Sequence, residues 1–177
     1  MADPGSPIEE AFDHLVARLD GAMVVVTAAT GEGGEADGCL VGFHSQASID
    51  PRRYVVWLSV ENRTFRLASH RSSTHLAVHV LSASDRDLAE RFGGATADDP
   101  GVDKLADLSW VAGPGGVPVL DALPERFVGR IVHRLQEPPG DHVGFVLAPE
   151  RAESNERAAE PPLRLGSAVE IDPGHPA

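Results

Sequence analysis

At 177 residues the chain has room for one domain with a real core, and 27 acidic against 15 basic residues leave a formal charge of −12. That balance argues against nucleic acid and anionic membrane surfaces, which select basic patches, but not against a small phosphate held at a local site. A single cysteine, Cys39, excludes an internal disulfide and fits a reducing compartment; with no signal-peptide pattern and no apolar run near the roughly 18 residues of a membrane span, a cytoplasmic protein is expected.

Met1 to Gly5 reads as loose chain. Ser6-Pro7-Ile8-Glu9 then carries a helix start: Ser as N-cap, Pro at the first helical position, Glu closing a capping box. Ile8, Phe12, Leu15, Val16 and Leu19 share one face of that helix, and Gly21 ends it. Met23 to Ala29 is apolar and β-branched, so a strand. The turn-rich Thr30 to Asp37 is a hairpin loop, and Asp37 to Pro51 is the return strand. That return strand is unusual. Gly42 and Ala47 leave room for a flat ligand, while Ser45, Gln46 and Ser48 offer hydrogen bonds. Tyr54 to Val60 is apolar enough to be a central strand.

Asn62 caps a helix over Phe65 to Arg71, and Leu76 to Leu81 is a strand. Ser84 caps a short helix that stops at Gly93-Gly94, and Asp98 to Leu108 predicts a helical turn. Gly113 to Pro118 is a loop. Val119-Leu120, Phe127 to Leu135 and His142 to Leu147 read as strands, with a turn at Pro138-Pro139-Gly140. Glu150 to Glu160 is polar and predicts a mobile excursion; Leu163 to Ile171 could return as a strand, and the tail from Asp172 is expected to be disordered. About seven strands with hairpin loops and short helices suggest an antiparallel barrel plugged by helices.

Two constellations point to chemistry. Asn62-Arg63-Thr64, at a strand-to-helix junction, combines helix-start N–H groups, a forked cation and a hydroxyl, which suits a phosphate; the ordinary alternative is a capped helix with a surface Arg. Gly140-Asp141-His142 puts a histidine at a turn entering a strand, where it can face a ligand or simply sit exposed. No metal site is expected. His75 and His79 lie on a strand, where four residues span roughly 13 Å, too far for one zinc. Cys39 has no activating neighbour in sequence and reads as a packing residue, and Trp57 and Trp110 as core or rim residues.

The segments V-V-V-T-A-A-T, G-C-L-V-G-F-H-S-Q-A-S-I-D-P, V-V-W-L-S-V-E-N-R-T-F-R-L-A, A-V-H-V-L-S, L-A-E-R-F-G-G, V-D-K-L-A-D, W-V-A-G-P-G-G-V-P-V-L and G-D-H-V-G-F-V occur in this order. Together they resemble the flavin reductase-like family, the FMN-binding split β-barrels, from Asp20 to Ala148. The resemblance implies a mainly β fold with short helices: a Greek-key, antiparallel split β-barrel over residues 21–150. Residues 1–20 would form an N-terminal helix and 151–177 a partly mobile C-terminal extension. It also implies a homodimer that binds FMN, with FAD possible, and takes hydride from NADH or NADPH. Val41, Gly42, Phe43, His44, Ser45, Gln46, Ala47 and Ser48 would line the flavin. Asn62, Arg63 and Thr64 would hold its phosphate, with Phe92 and Lys104 near it. His142 would sit beside the nicotinamide or flavin edge as the catalytic-site residue. The implied activity is an NAD(P)H:flavin oxidoreductase, with a monooxygenase as possible recipient of reduced flavin. A non-catalytic flavin-binding protein and a relative using F420 are the alternatives, since Leu40, Val41, Gly42 and Phe43 thin the hydroxyl-rich run of typical reductases.

Overall fold

The structure is a computed structural model that describes residues 6–94, 101–135, 140–155 and 160–171. The expected loose start, the Pro138-Pro139 turn, residues 98–100 of the expected helical turn, residues 156–159 of the polar excursion and the tail from Asp172 lie outside the described residues.

Helix α1 (Pro7–Leu19) starts as its sequence dictates. Ser6 Oγ accepts from Glu9 N at 3.3 Å, and Ser6 N donates back to the Glu9 carboxylate at 2.6 Å. It ends one residue earlier than expected, at Asp20, whose φ of 43° is left-handed. No residue of α1 is buried, and its apolar side chains Ile8, Phe12, Leu15 and Leu19 are all exposed.

The strands are β1 (Val24–Ala29), β2 (Ala36–Val41), β3 (His44–Ser48), β4 (Arg53–Ser59) and β5 (His75–Val80), with α2 (Arg63–Ser69) and α3 (Arg86–Phe92) as short helices. A small hairpin of β6 (Trp110–Ala112) and β7 (Pro118–Leu120) precedes β8 (Arg126–Arg134) and β9 (His142–Glu153). Seven strands form one antiparallel sheet in the order β2-β1-β5-β8-β9-β4-β3. This is the expected mainly β, split-barrel architecture. β1 is buried on both faces, as its unbroken apolar run requires. Val24, Val26 and Ala28 pack with Leu58, Phe145 and Leu67 of α2, while Val25 faces a second cluster with Leu81, Phe92, Leu105 and Leu163.

Several expectations need correction. The stretch from Asp37 to Pro51 is not one strand. It is β2 and β3, which lie at opposite edges of the sheet although only Gly42 and Phe43 separate them. The sheet must curl until its edges meet there, and the chain steps across the split. Three hydrogen bonds anchor the start of β3. Trp57 N donates to Phe43 O at 2.9 Å. His44 Nε2 lies 2.6 Å from Ala22 O and must donate, so Nδ1 accepts the Tyr54 hydroxyl at 2.5 Å. β9 runs past Leu147 to Glu153, because its polar end pairs with β8 on a solvated sheet face, as in Arg126↔Glu153. So residues 151–153 belong to the barrel. Residues 160–171 form no strand: bridges Ala22↔Arg164 and Ser82↔Pro162 lead into a single 3-10 turn at Leu165–Ser167. They are nonetheless packed, with Leu163 bonded to Met23 N and Leu81 O. Asp85, not Ser84, is the N-cap of α3. Residues 101–108 hold the expected turn, closed by Ala106 N to Asp103 O and Leu108 N to Leu105 O.

His79 is buried and bridges two layers. Its Nδ1 donates to Val25 O at 3.2 Å, and its Nε2 accepts from Leu120 N at 3.0 Å, so both nitrogens are used by backbone.

Candidate functional site

At the split the sheet leaves a cavity of about 150 Å³. The end of β2, Gly42 and Phe43 form one wall, Trp57 and Ser59 of β4 another, and Asn62 and His142 the rim. Met23 and the C-terminal Leu165, Ala168 and Ile171 close it. A shallower hollow of about 350 Å³ adjoins it, bounded by Phe43, Trp57, Gly140, Asp141 and His142. The two compartments therefore share the Phe43, Trp57 and His142 side chains.

Strand register explains that arrangement. β4 and β9 pair Trp57 with Gly144 and Ser59 with His142, and alternation puts Trp57 and Ser59 on one face. A Cβ at Gly144 would lie 2.8 Å from Leu135 Cδ1 and 3.0 Å from Trp57 Cζ3, so a larger residue would push the indole off its place against β9. The Phe43 and His142 rings pack at 5.1 Å between centroids. His142 Nδ1 is 2.7 Å from Asp141 Oδ1, which orients the imidazole.

Of the residues expected to contact ligand, Val41, Gly42, Phe43, Asn62 and His142 come together here. His44, Ser45, Gln46, Ala47 and Ser48 do not line the cavity. They form edge strand β3, where Ser45, Gln46 and Ala47 are exposed and His44 is clamped between Tyr54 and Ala22. Burial holds His44 below the usual imidazole pKa. What β3 can offer is backbone: its outer edge has no neighbouring strand among the described residues.

The Asn62-Arg63-Thr64 junction is partly self-satisfied. Asn62 Oδ1 accepts from Thr64 N at 2.8 Å. Arg63 Nε lies 3.6 Å from the Asp37 carboxylate. The Thr64 side chain is fully buried and faces the Cys39 thiol, not the cavity. Phe92 and Lys104 also stand behind the wall. Phe92 packs against Gly38, where a Cβ would sit 2.8 Å from its ring, and Lys104 Nζ donates to Gly38 O at 3.2 Å. Lys104 is only 3% exposed. Burial raises the Asp37 carboxyl pKa, opposed by the Gly38 N–H and by the charges of Lys104 and Arg63. Cys39 is a packing residue whose thiol burial pushes up to about 11, which removes it as a nucleophile.

Sequence reasoning missed Ser59 and the C-terminal aliphatics. Ser59 carried a signal, since strand alternation places it beside Trp57. Leu165, Ala168 and Ile171 carried none, because they sit in an irregular segment.

The flavin reductase like domain matches residues 16–167, and the chain belongs to that family. It is 32% identical over 149 residues to FMN reductase (NADH) SmoA of Agrobacterium fabrum, covering 81% of this chain and 78% of that protein. Among solved structures it resembles the Streptomyces globisporus C-1027 NADH:FAD oxidoreductase SgcE6, with a TM-score of 0.69, 22% identity, and coverage of 98% of this chain and 95% of that one. It also superposes on the protein SMa0793 from Sinorhizobium meliloti 1021 with a TM-score of 0.71 and 22% identity. That match covers 93% of this chain but 51% of the other, so this chain spans about half of that protein's length.

Proposed function

We propose that the chain is an NAD(P)H:flavin oxidoreductase that takes a flavin nucleotide, FMN or FAD. The observation that carries the reading is the pair of adjoining hollows with a common wall of Phe43, Trp57 and His142. Two flat ligands must meet for this chemistry, and such a wall supplies one surface to both.

The residues present fit a flavin. The deeper hollow is mostly apolar, with the polar residue Asn62 at its rim. Val41, Gly42 and Phe43 would flank the ring system, with the free backbone edge of β3 as a source of donors. The Asn62 amide and the Arg63 guanidinium would take the phosphate end. When bound, the flavin supplies the hydride-accepting chemistry. The chain itself binds, orients and excludes water. Phe43 and Trp57 give the shared wall an apolar face. Asp141 fixes the His142 ring, which positions the nicotinamide rather than moving a proton. A cavity of about 150 Å³ is small for a cofactor, since ligand pockets usually hold about 300–1,000 Å³. That mismatch supports a homodimer in which a second copy completes the site, and the uncovered apolar face of α1 is consistent with it. Delivery of reduced flavin to a monooxygenase and a reducing, cytoplasmic setting are parts of the same proposal. No helix among the described residues is long and apolar enough to cross a membrane.

Adding FMN and then NADH or NADPH to the purified protein tests the reading: the nicotinamide absorbance is expected to fall with turnover. Tight flavin binding without oxidation of either nucleotide would replace the reductase with a flavin-binding protein.

A further inference from the structure

Asp37 is a carboxylate inside the protein, and burial there destabilises a fold unless cations answer it. Two cations do, Lys104 and Arg63, and they are not alike. Lys104 is itself buried and uses its Nζ on Gly38 O. The Arg63 side chain is 34% exposed, with Nε 3.6 Å from Asp37 Oδ2. At that distance the contact is charge pairing rather than a hydrogen bond. Among the described residues the Arg63 side chain has no other ion pair and no hydrogen bond, so both of its terminal amino groups are unengaged. One end of the guanidinium is tied to the interior and the other is open to solvent.

Position says what the tie is for. Cys39 and Asn62 both line the deeper hollow. Asp37 stands two residues before Cys39 on the same face of β2, about 7 Å along the strand, and Arg63 follows Asn62 at the start of α2. The Asp37–Arg63 pair therefore joins β2 to α2 one step outside the hollow. Asn62 is already fixed by its bond from Thr64 N. An untied arginine beside it would have to be ordered when a ligand arrives, and that ordering weakens binding. Lys104 offsets the Asp37 charge at longer range, so an anion beyond Arg63 meets little net repulsion. We propose that Asp37 is a positioning residue: it tethers Arg63 at Nε and so presents the guanidinium fork, already ordered, to the phosphate of the flavin nucleotide. This rests on the flavin-reductase reading given above.

The test titrates FMN and riboflavin, which lacks the phosphate, into the ligand-free wild type, Asp37→Asn, Arg63→Ala and the double variant, with flavin fluorescence as the readout. Asp37→Asn is expected to raise the FMN dissociation constant about fivefold, the effect of having to order one long side chain, and to leave that of riboflavin in place. In the Arg63→Ala background the same substitution is expected to change neither. Equal weakening of FMN and riboflavin, tighter FMN binding, or an undiminished effect of Asp37→Asn without Arg63 would each overturn the assignment. Should Asp37→Asn bind neither flavin, Arg63→Lys decides, since it leaves the buried residues untouched and keeps the charge but has no fork. It is expected to lose the preference for FMN over riboflavin, and retention of that preference overturns the proposal. A wild type that binds no flavin refutes the functional reading as well. A wild type that binds FMN, beside an Asp37→Asn variant of unchanged FMN affinity, refutes the role of Asp37 alone.

Discussion

His79 should make the fold acid-sensitive through a single side chain. Both ring nitrogens are committed to backbone, Nδ1 as donor to Val25 and Nε2 as acceptor from Leu120, so only the neutral tautomer fits. Burial is the main cause that lowers its pKa from 6.5 to about 4, with the Val25 carbonyl opposing and the Arg126 charge assisting. The folded pKa lies below the unfolded one. The stabilisation is therefore present above pH 6.5 and lost as pH falls toward about 4, where the native state finally takes the proton. With those two values, linkage gives a loss of about 0.8 kcal/mol at pH 6 and about 2 kcal/mol at pH 5. His44 is shifted in the same direction and contributes in the same window, so the measurement has to be a difference. Urea unfolding of wild type and His79→Gln at pH 7, 6 and 5 supplies it. The variant should be less stable at pH 7 and lose less on acidification. Parallel stability profiles between pH 7 and pH 5 would show that His79 carries no such linkage and that the reasoning is wrong.

Lys104→Met should cost about 1–3 kcal/mol of stability, because it leaves the buried Gly38 O without its donor and removes one of the two cations whose charge favours the Asp37 carboxylate. Urea unfolding measures it; full stability with a large loss of flavin affinity would instead make Lys104 a direct ligand contact. His142→Ala should lower NADH turnover by at least about tenfold while leaving FMN affinity within about twofold, the split expected when a residue serves only the reacting arrangement. Equal losses in stopped-flow turnover and flavin titration would make it a binding residue.

Much of this architecture could be read from the chain itself because the determinants are local. Ser6 and Glu9 specify the start of α1, an unbroken apolar run specifies β1, and Asn62 specifies α2. What could not be read is long-range. Nothing within Asp37–Pro51 says that its two halves belong to opposite sheet edges; that follows from how seven strands close on one another. The polar end of β9 looked like loose chain because sequence polarity reports solvent contact, and a paired strand can be solvated. Strand β6 is three exposed residues, too short for any alternation to register. At the site, Asn62 and His142 stood out from cap and turn chemistry, and Phe43 from the family resemblance. Phe92 and Lys104 were legible as residues of the region but not as residues behind its wall, since spacing along the chain carries no information about which side of β2 a side chain packs on.

The two-residue crossing at Gly42-Phe43 sets a limit that side chains cannot change. Val41 ends one edge of the sheet and His44 begins the other. Three backbone steps reach at most about 11 Å. The opening of the barrel is therefore on a leash, and the leash is main chain. Trimming Phe43 or Trp57 can deepen the hollow but cannot part its walls at this end. A wider guest requires extra residues in the crossing, so the length of this short span, more than the identity of the side chains around it, decides how thick a ligand the barrel can admit.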